Sequence, residues 1–292
     1  MSASTRAGRA RLITFEGEAR SGKGTSARAA RKALERAGQR VTFIDNGQKY
    51  RVLARLAVDR GIDLFDQAAI GNFLRSPKVR AELLDLLEEV TRLDQPEVDA
   101  LLYTSDISTG SAQFGAHALT HPIVLDLLFD QVRRAADSGA QVILLDGRTM
   151  AAKGRQMASQ GIADFVLGFY FHCDAAVAAR RTEGIFANID EMDTDEKLRL
   201  LDGLMRISER NRQDTLRSVD PMREPNGALT LHTDEFRAGD AAYLDTLTSQ
   251  ALSAGVISMN TSYTRSVEEM TGPVTEITLR ALGISIKPVF VQ

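Results

Sequence analysis

The chain has 292 residues, 43% hydrophobic and 26% charged, with a formal net charge of -3. That length can bury a large core, most simply as one α/β domain with insertions, and so mild a charge exerts no pull toward nucleic acid or an anionic membrane. The single cysteine, Cys173, excludes an internal disulfide framework and fits a reducing compartment, and no apolar run approaches the roughly 20 residues of a membrane span. The opening MSASTRAGRAR lacks the apolar core of a secretory signal and reads as a frayed, solvated terminus. A soluble cytoplasmic protein without nucleic-acid or membrane partners is expected.

The first apolar run, Leu12–Phe15, leads into Gly17–Thr25, reading GEARSGKGT, and then into Ala27–Ala37, which is rich in helix formers. A strand, a glycine loop and a helix in that order make a phosphate cradle. Gly17 and Gly22 allow a sharp turn with inward N–H groups, the helix start adds its positive end, and the Lys23 ammonium reaches outer phosphates. The ligand-facing set is Gly17, Glu18, Ala19, Arg20, Ser21, Gly22, Lys23, Gly24, Thr25 and Ser26. A glycine-rich turn with no ligand is the competing reading. The ending GKGT resembles that of nucleoside monophosphate kinases, where Thr25 stands near Mg²⁺.

Further β-type runs follow at Val41–Ile44, Val142–Leu145, Phe165–Phe171 and Leu229–His232, giving five strands separated by helices. That alternation implies a parallel sheet with helices on both faces and ligands at the carboxyl ends of the strands. A long helical span runs from Gly47 to Gly139; its Val79, Leu83, Leu86, Leu87 and Val90 recur at helical spacing and read as core. Thr182–Asp195 is loop-like and acidic without the calcium-loop pattern, and Glu196–Val219 reads as one charged helix stopped by Pro221. Beyond Leu252 come Ser, Thr and Gly clusters, a helix near Val267–Leu282 and an apolar end, Ile284–Val291, which fits an added strand, a cap or a dimer contact.

Charged residues gather at predicted strand ends. Asp45 and Arg51 follow the second strand, where an ordinary helix cap and a surface cation compete with a ligand role. Asp146-Gly147-Arg148 follows the third: the aspartate suits a water-mediated Mg²⁺ contact and the arginine a forked phosphate contact, against a structural pair. Arg210, Asp214 and Arg217 share one helical face, a salt-bridged solvated stripe being the alternative. Arg180 and Arg181 precede the acidic flap. His117, His121, His172 and His232 form no metal pattern, and no nucleophilic triad stands out.

Four ordered blocks resemble the bacterial cytidylate kinase family over roughly Leu12 to Phe236: GEARSGKGT, IDNGQKYR (Ile44–Arg51), LLDGR (Leu144–Arg148) and ERNRQDTLRSVDPM (Glu209–Met222). The resemblance implies a three-layer P-loop NTPase fold built on a five-stranded parallel sheet. It further implies a kinase domain over residues 1–252, a nucleotide-binding insertion at about 52–139, a lid at about 180–195 and a C-terminal extension, 253–292, outside the match. It implies ATP and Mg²⁺ as cofactors, with Thr25 and Asp146 near the metal. Lys23, Arg148, Arg180, Arg181 and Arg217 would carry transfer, Arg51, Arg148 and Arg217 would grip the acceptor phosphate, and Arg210 and Asp214 its ribose, with Asp45 nearby. The departures lie at base-reading positions: Tyr103 and Leu125 replace arginines, Ala116 or Ser111 stands at the serine, and Thr149 replaces the aspartate after Gly-Arg.

Those departures raise the expectation that the acceptor base differs from cytosine, because a site that reads polar edges discriminates strongly once its partners change. Rival readings are a kinase of another nucleotide or small phosphate, thymidylate kinases sharing the Phe15-Glu16-Gly17 entry, and a nucleotide-binding regulator without transfer. A monomer, or a homodimer through the C-terminal extension, is expected.

Overall fold

Six runs pair into one sheet: β1 (Arg11–Gly17), β2 (Val41–Asp45), β3 (Val142–Asp146), β4 (Asp164–His172), β5 (Leu229–His232) and β6 (Val256–Asn260). The computed structural model describes residues 9–217 and 219–285. Within them the strand order is β2-β3-β1-β4-β6-β5, and the pairings of β1 with β3 and β4, and of β6 with β4 and β5, are parallel. The helices are α1 (Lys23–Arg36), α2 (Asn46–Asp59), α3 (Gln67–Arg75), α4 (Pro77–Val90), α5 (Gln95–Leu102), α6 (Ser105–Ala116), α7 (Thr120–Asp137), α8 (Met150–Ser159), α9 (Ala175–Glu183), α10 (Thr194–Leu216), α11 (Ala241–Ala254) and α12 (Val267–Ala281).

The chain divides into two compact units, one formed by the described residues up to Ile44 and from Val132 onward, the other by Asp45–Gln131. In the first unit the inner strands β3, β1, β4 and β6 are mostly buried, as parallel strands covered by helices must be, and all five residues of β3 are buried. The twofold alternation of β1 sends Ile13 and Phe15 into a core with Ala27, Ala30 and Leu34 of α1 and Val274 and Ile277 of α12. Phe15 and Phe169 stack there with ring centroids 5.6 Å apart. The opposite residues of β1 face α8: Leu12 lies against Gly154, and the Glu16 carboxylate accepts from the Ala151 N–H at 3.0 Å.

The sheet therefore has six strands where the sequence patterns predict five. The added strand, β6, comes from the segment read as a tail, and its first four residues are buried. It lies between β4 and β5, and α12 packs along α1, so β6 and α12 are built into this unit rather than appended to it. The position 252 itself falls within α11, which ends at Gly255 in a left-handed conformation, φ 74°. The predicted helix near Val267–Leu282 is α12, whereas most of the apolar end Ile284–Val291 and the opening MSASTRAG lie outside the described residues.

The second unit packs Val52, Leu53 and Ala57 of α2 against Leu83 of α4, Leu102, Phe114 and Leu127. The predicted apolar stripe falls on α4, with Val79, Leu83, Leu87 and Val90 buried. Side-chain caps fix the helix starts: Asp66 opens α3, and Asp94 forms a reciprocal capping box with Glu97 at α5. In the first unit Asp193 does the same for α10 with Glu196, so part of the acidic flap is cap chemistry.

Candidate functional site

Between β1 and α1 the chain turns through Gly17 at φ 124° and Gly22 at φ 88°. A Cβ at Gly17 would lie 2.1 Å from the Phe171 carbonyl oxygen, backbone that cannot yield, while at Gly22, over which the Met270 sulfur sits, the positive φ itself strains any side chain. The loop is braced from within and around. Glu18 N–H donates to the Phe171 carbonyl at 2.8 Å, Ser21 Oγ donates to the Glu18 carbonyl at 2.9 Å, and Ala19 N–H donates to Asn211 Oδ1 at 2.9 Å. The Glu18 carboxylate accepts from the Cys173 N–H at 2.9 Å. α1 then opens at Lys23, and the N–H groups of its first turn, among them those of Gly24 and Thr25, have no intrahelical acceptor, as at every helix start.

Lys23 Nζ pairs with the Asp146 carboxylate at the end of β3; their side chains are only 18% and 9% exposed. Asp146 Oδ2 also lies 3.6 Å from the Cβ position of Gly24, which sets this carboxylate against the first turn of α1, where Thr25 is half-buried and Ser26 fully buried. Among the described residues no group of three or more His, Cys, Asp or Glu side chains could hold a metal by itself. A divalent ion here would draw most of its oxygens from phosphate and water, as Mg²⁺ does in phosphotransferases, and Asp146 and Thr25 supply the oxygen chemistry it favours.

Arg148, two residues past Asp146, donates to the Gly17 carbonyl and forms an ion pair with Asp214 Oδ2 at 2.8 Å. Arg217 reaches the other oxygen of the same carboxylate at 2.6 Å. Asp214 is thus buried and holds two guanidinium groups. Burial lowers the Arg148 guanidinium below its usual value, Asp214 opposes that shift and the neighbouring Arg217 adds to it. The predicted shared face resolves differently: Asp214 points inward, Arg210 is exposed, and Arg217 lies just past the end of α10. The chain then doubles back, with the Met222 N–H donating to the Asp214 carbonyl at 2.8 Å and Asp220 in the left-handed region at φ 50°. Lys153 of α8 holds that bend by pairing with Asp220 and donating to Thr149 Oγ1. Ser218 lies outside the described residues.

Arg180 and Arg181, near the end of α9, are bonded to backbone. Arg180 donates to the Ala187 carbonyl at 2.8 Å, and Arg181 to the carbonyls of Thr261 at 2.6 Å and Thr264 at 2.9 Å.

In the helical unit Asp45 caps α2, accepting from the Gly47 N–H at 2.7 Å. The Arg51 guanidinium lies 4.1 Å from the Tyr103 ring centroid and donates to the Leu102 carbonyl and Ser108 Oγ, each at 3.1 Å. Tyr103 therefore contributes a ring face that holds Arg51. Lys49, in the first turn of α2, is buried; desolvation lowers its ammonium to about 7, with Asp45 opposing.

Sequence reasoning did not single out Lys49, Lys153 or Glu16. Glu16 is 3% exposed on β1, and burial pushes its carboxyl up to about 7 against the bonds from the N–H groups of Ala151 and Met150 at the start of α8. Its signal was available: an acid inside an apolar strand needs a partner, and a helix start is one. A folded-state value above the usual 4.5 means that the folded chain keeps a proton the unfolded chain loses, so stability falls as pH rises from about 4.5 to about 7. Glu16→Gln is expected to be more stable than the parent at pH 8 by about 3 kcal/mol, and equal to it near pH 4.5. Urea unfolding at the two pH values checks this; a pH-independent difference would contradict it.

The family model described as Cytidylate kinase matches residues 13–242, which include the loop, Asp45, Arg51, Asp146, Arg148, Arg180, Arg181, Arg210, Asp214 and Arg217. The chain belongs to the cytidylate kinase family. It is 26% identical over 234 residues to a cytidylate kinase of Lysinibacillus sphaericus, covering 79% of this chain and 92% of that one. A cytidylate kinase of Azotobacter vinelandii is 29% identical over 230 residues, 77% of this chain and 89% of its own. One from Polynucleobacter asymbioticus is 30% identical over 237 residues, 79% and 92% respectively. The family match stops short of β6 and α12.

Proposed function

We propose that the chain transfers the γ-phosphoryl group of ATP to the phosphate of CMP or dCMP. The observation that carries this reading is the presence, in one unit of a cytidylate kinase family member, of Lys23 at a glycine-loop helix start, paired with Asp146, and of Arg148 and Arg217 held by the buried Asp214. Lys23 and the first-turn N–H groups bind the donor's outer phosphates. Arg148 and Arg217, held by Asp214, offset charge on the acceptor phosphate and the transferring group. The acceptor oxygen is already anionic at neutral pH, so no protein nucleophile is needed and the rate comes from positioning and electrostatics. Asp146 and Thr25 would hold Mg²⁺, which would supply further neutralisation of the donor's phosphate charge.

The remaining assignments follow from the same reading. The helical unit 45–131 serves the acceptor, with Arg51 on its phosphate and Asp45 fixing the start of the helix that carries it. Arg210 contacts the acceptor ribose. The segment 180–195 acts as a lid, its arginines leaving their backbone partners when nucleotides bind. A cytoplasmic location suits these substrates, and among the described residues no helix is long and apolar enough to cross a membrane.

The names of the relatives favour cytosine nucleotides despite the departures at Tyr103, Leu125 and Thr149, and at Ala116 unless Ser111 takes the serine's place. Coupled ADP release across CMP, dCMP, UMP and dTMP is expected to give the highest kcat/KM with CMP or dCMP. UMP or dTMP as best acceptor would overturn the choice of base while leaving phosphoryl transfer standing.

A further inference from the structure

The segment beyond the family match returns to the phosphate loop. Thr261, directly after β6, is fully buried, and its Oγ1 lies 2.9 Å from the Ser21 carbonyl and 3.3 Å from the His172 carbonyl. Its N–H donates to the same His172 carbonyl at 3.1 Å. Ser21 is the loop residue immediately before Gly22, and Met270 of α12 fills the space over Gly22. In the other direction Arg181 of α9 donates to the Thr261 and Thr264 carbonyls, and Ser262 Oγ accepts from the Asp174 N–H at 2.9 Å. One turn, 261–264, thus grips the loop, the end of β4 and the start and end of α9.

A loop that receives phosphate needs its N–H groups inward and its carbonyl oxygens elsewhere, because a carbonyl dipole repels the anion. In the interior that carbonyl also needs a donor of its own, since water is excluded. The Thr261 hydroxyl provides it. We propose that Thr261 is a positioning residue for the donor phosphate loop, supplied by a part of the chain outside the family match: it engages the Ser21 carbonyl and links the loop, through the carbonyls that Arg181 grips, to α9. This rests on the reading of the loop as the ATP site.

Steady-state kinetics with ATP and CMP varied separately tests it, comparing Thr261→Val, which keeps the shape and removes the hydroxyl, with Thr261→Ser, which restores it. Thr261→Val is expected to raise KM for ATP roughly fivefold, the scale of one buried hydrogen bond, with KM for CMP within about twofold of the parent. Thr261→Ser is expected to return KM for ATP to within about twofold. A lower Tm in Thr261→Val with KM for ATP unchanged, equal rises in both KM values, or a serine variant as impaired as the valine one would each overturn the proposal. Should Thr261→Val fail to fold, Thr261→Ala, which also removes the hydroxyl, is read in its place, and an unchanged KM for ATP there overturns it. A parent chain with no CMP-dependent ADP release would instead sink the functional reading, so the two failures are distinguishable.

Discussion

Lys23→Ala is expected to lower kcat for phosphoryl transfer on the order of 10³-fold, because a cation placed where charge develops in a water-poor site has no substitute in bulk solvent. The substitution also carries a cost to the fold. Lys23 pairs with Asp146 in a largely buried setting, so removing the ammonium takes a cationic partner from a buried carboxylate. Arg148 stands close enough to offset part of that charge, and the stability loss is expected at about 1–3 kcal/mol. The double variant Lys23→Ala with Asp146→Asn separates the two effects: unfolding measurements are expected to show recovered stability while kcat stays low. A single variant with near-parent turnover would remove Lys23 from the mechanism.

Asp214→Ala is expected to cost about 3–5 kcal/mol of stability, the scale of breaking a buried ion pair from one side. Both oxygens of this carboxylate are engaged, one by Arg148 and one by Arg217, and the side chain is only 3% exposed. Without it two guanidinium groups are left beside each other with nothing between them. The same loss frees Arg217 and leaves Arg148 held by the Gly17 carbonyl but not by its carboxylate, so KM for CMP is expected to rise more than KM for ATP. Asp214→Asn keeps the shape and one acceptor and is expected to be milder on both measures. An alanine variant that unfolds within about 1 kcal/mol of the parent would show that the cluster is solvated, contrary to the burial described.

What the sequence disclosed and what it withheld divide along the range of the interactions. The loop Gly17–Thr25 and the strand ends at Asp45 and Asp146 were legible because period, glycine and lysine lie within a few residues of one another. The partnership of Arg148 with Asp214 was not, since helical spacing groups Asp214 with Arg210, and only tertiary packing turns it toward β3. β6 was hidden for a related reason: five residues of mixed character become a strand by filling the gap between β4 and β5. A local sign did exist, for Gly255 ends α11 and an apolar run follows. Glu16, Lys49 and Lys153 were missed because charge in a sequence predicts the surface, and their burial depends on which elements close over them.

The most direct test of phosphoryl transfer is ³¹P NMR of a mixture of the chain, ATP, Mg²⁺ and CMP. The account predicts that CDP and ADP appear together in equal amounts as ATP and CMP decline. ADP appearing with inorganic phosphate while CMP stays constant would contradict it, since the loop would then deliver the phosphoryl group to water and the arginine cluster would have no acceptor to hold.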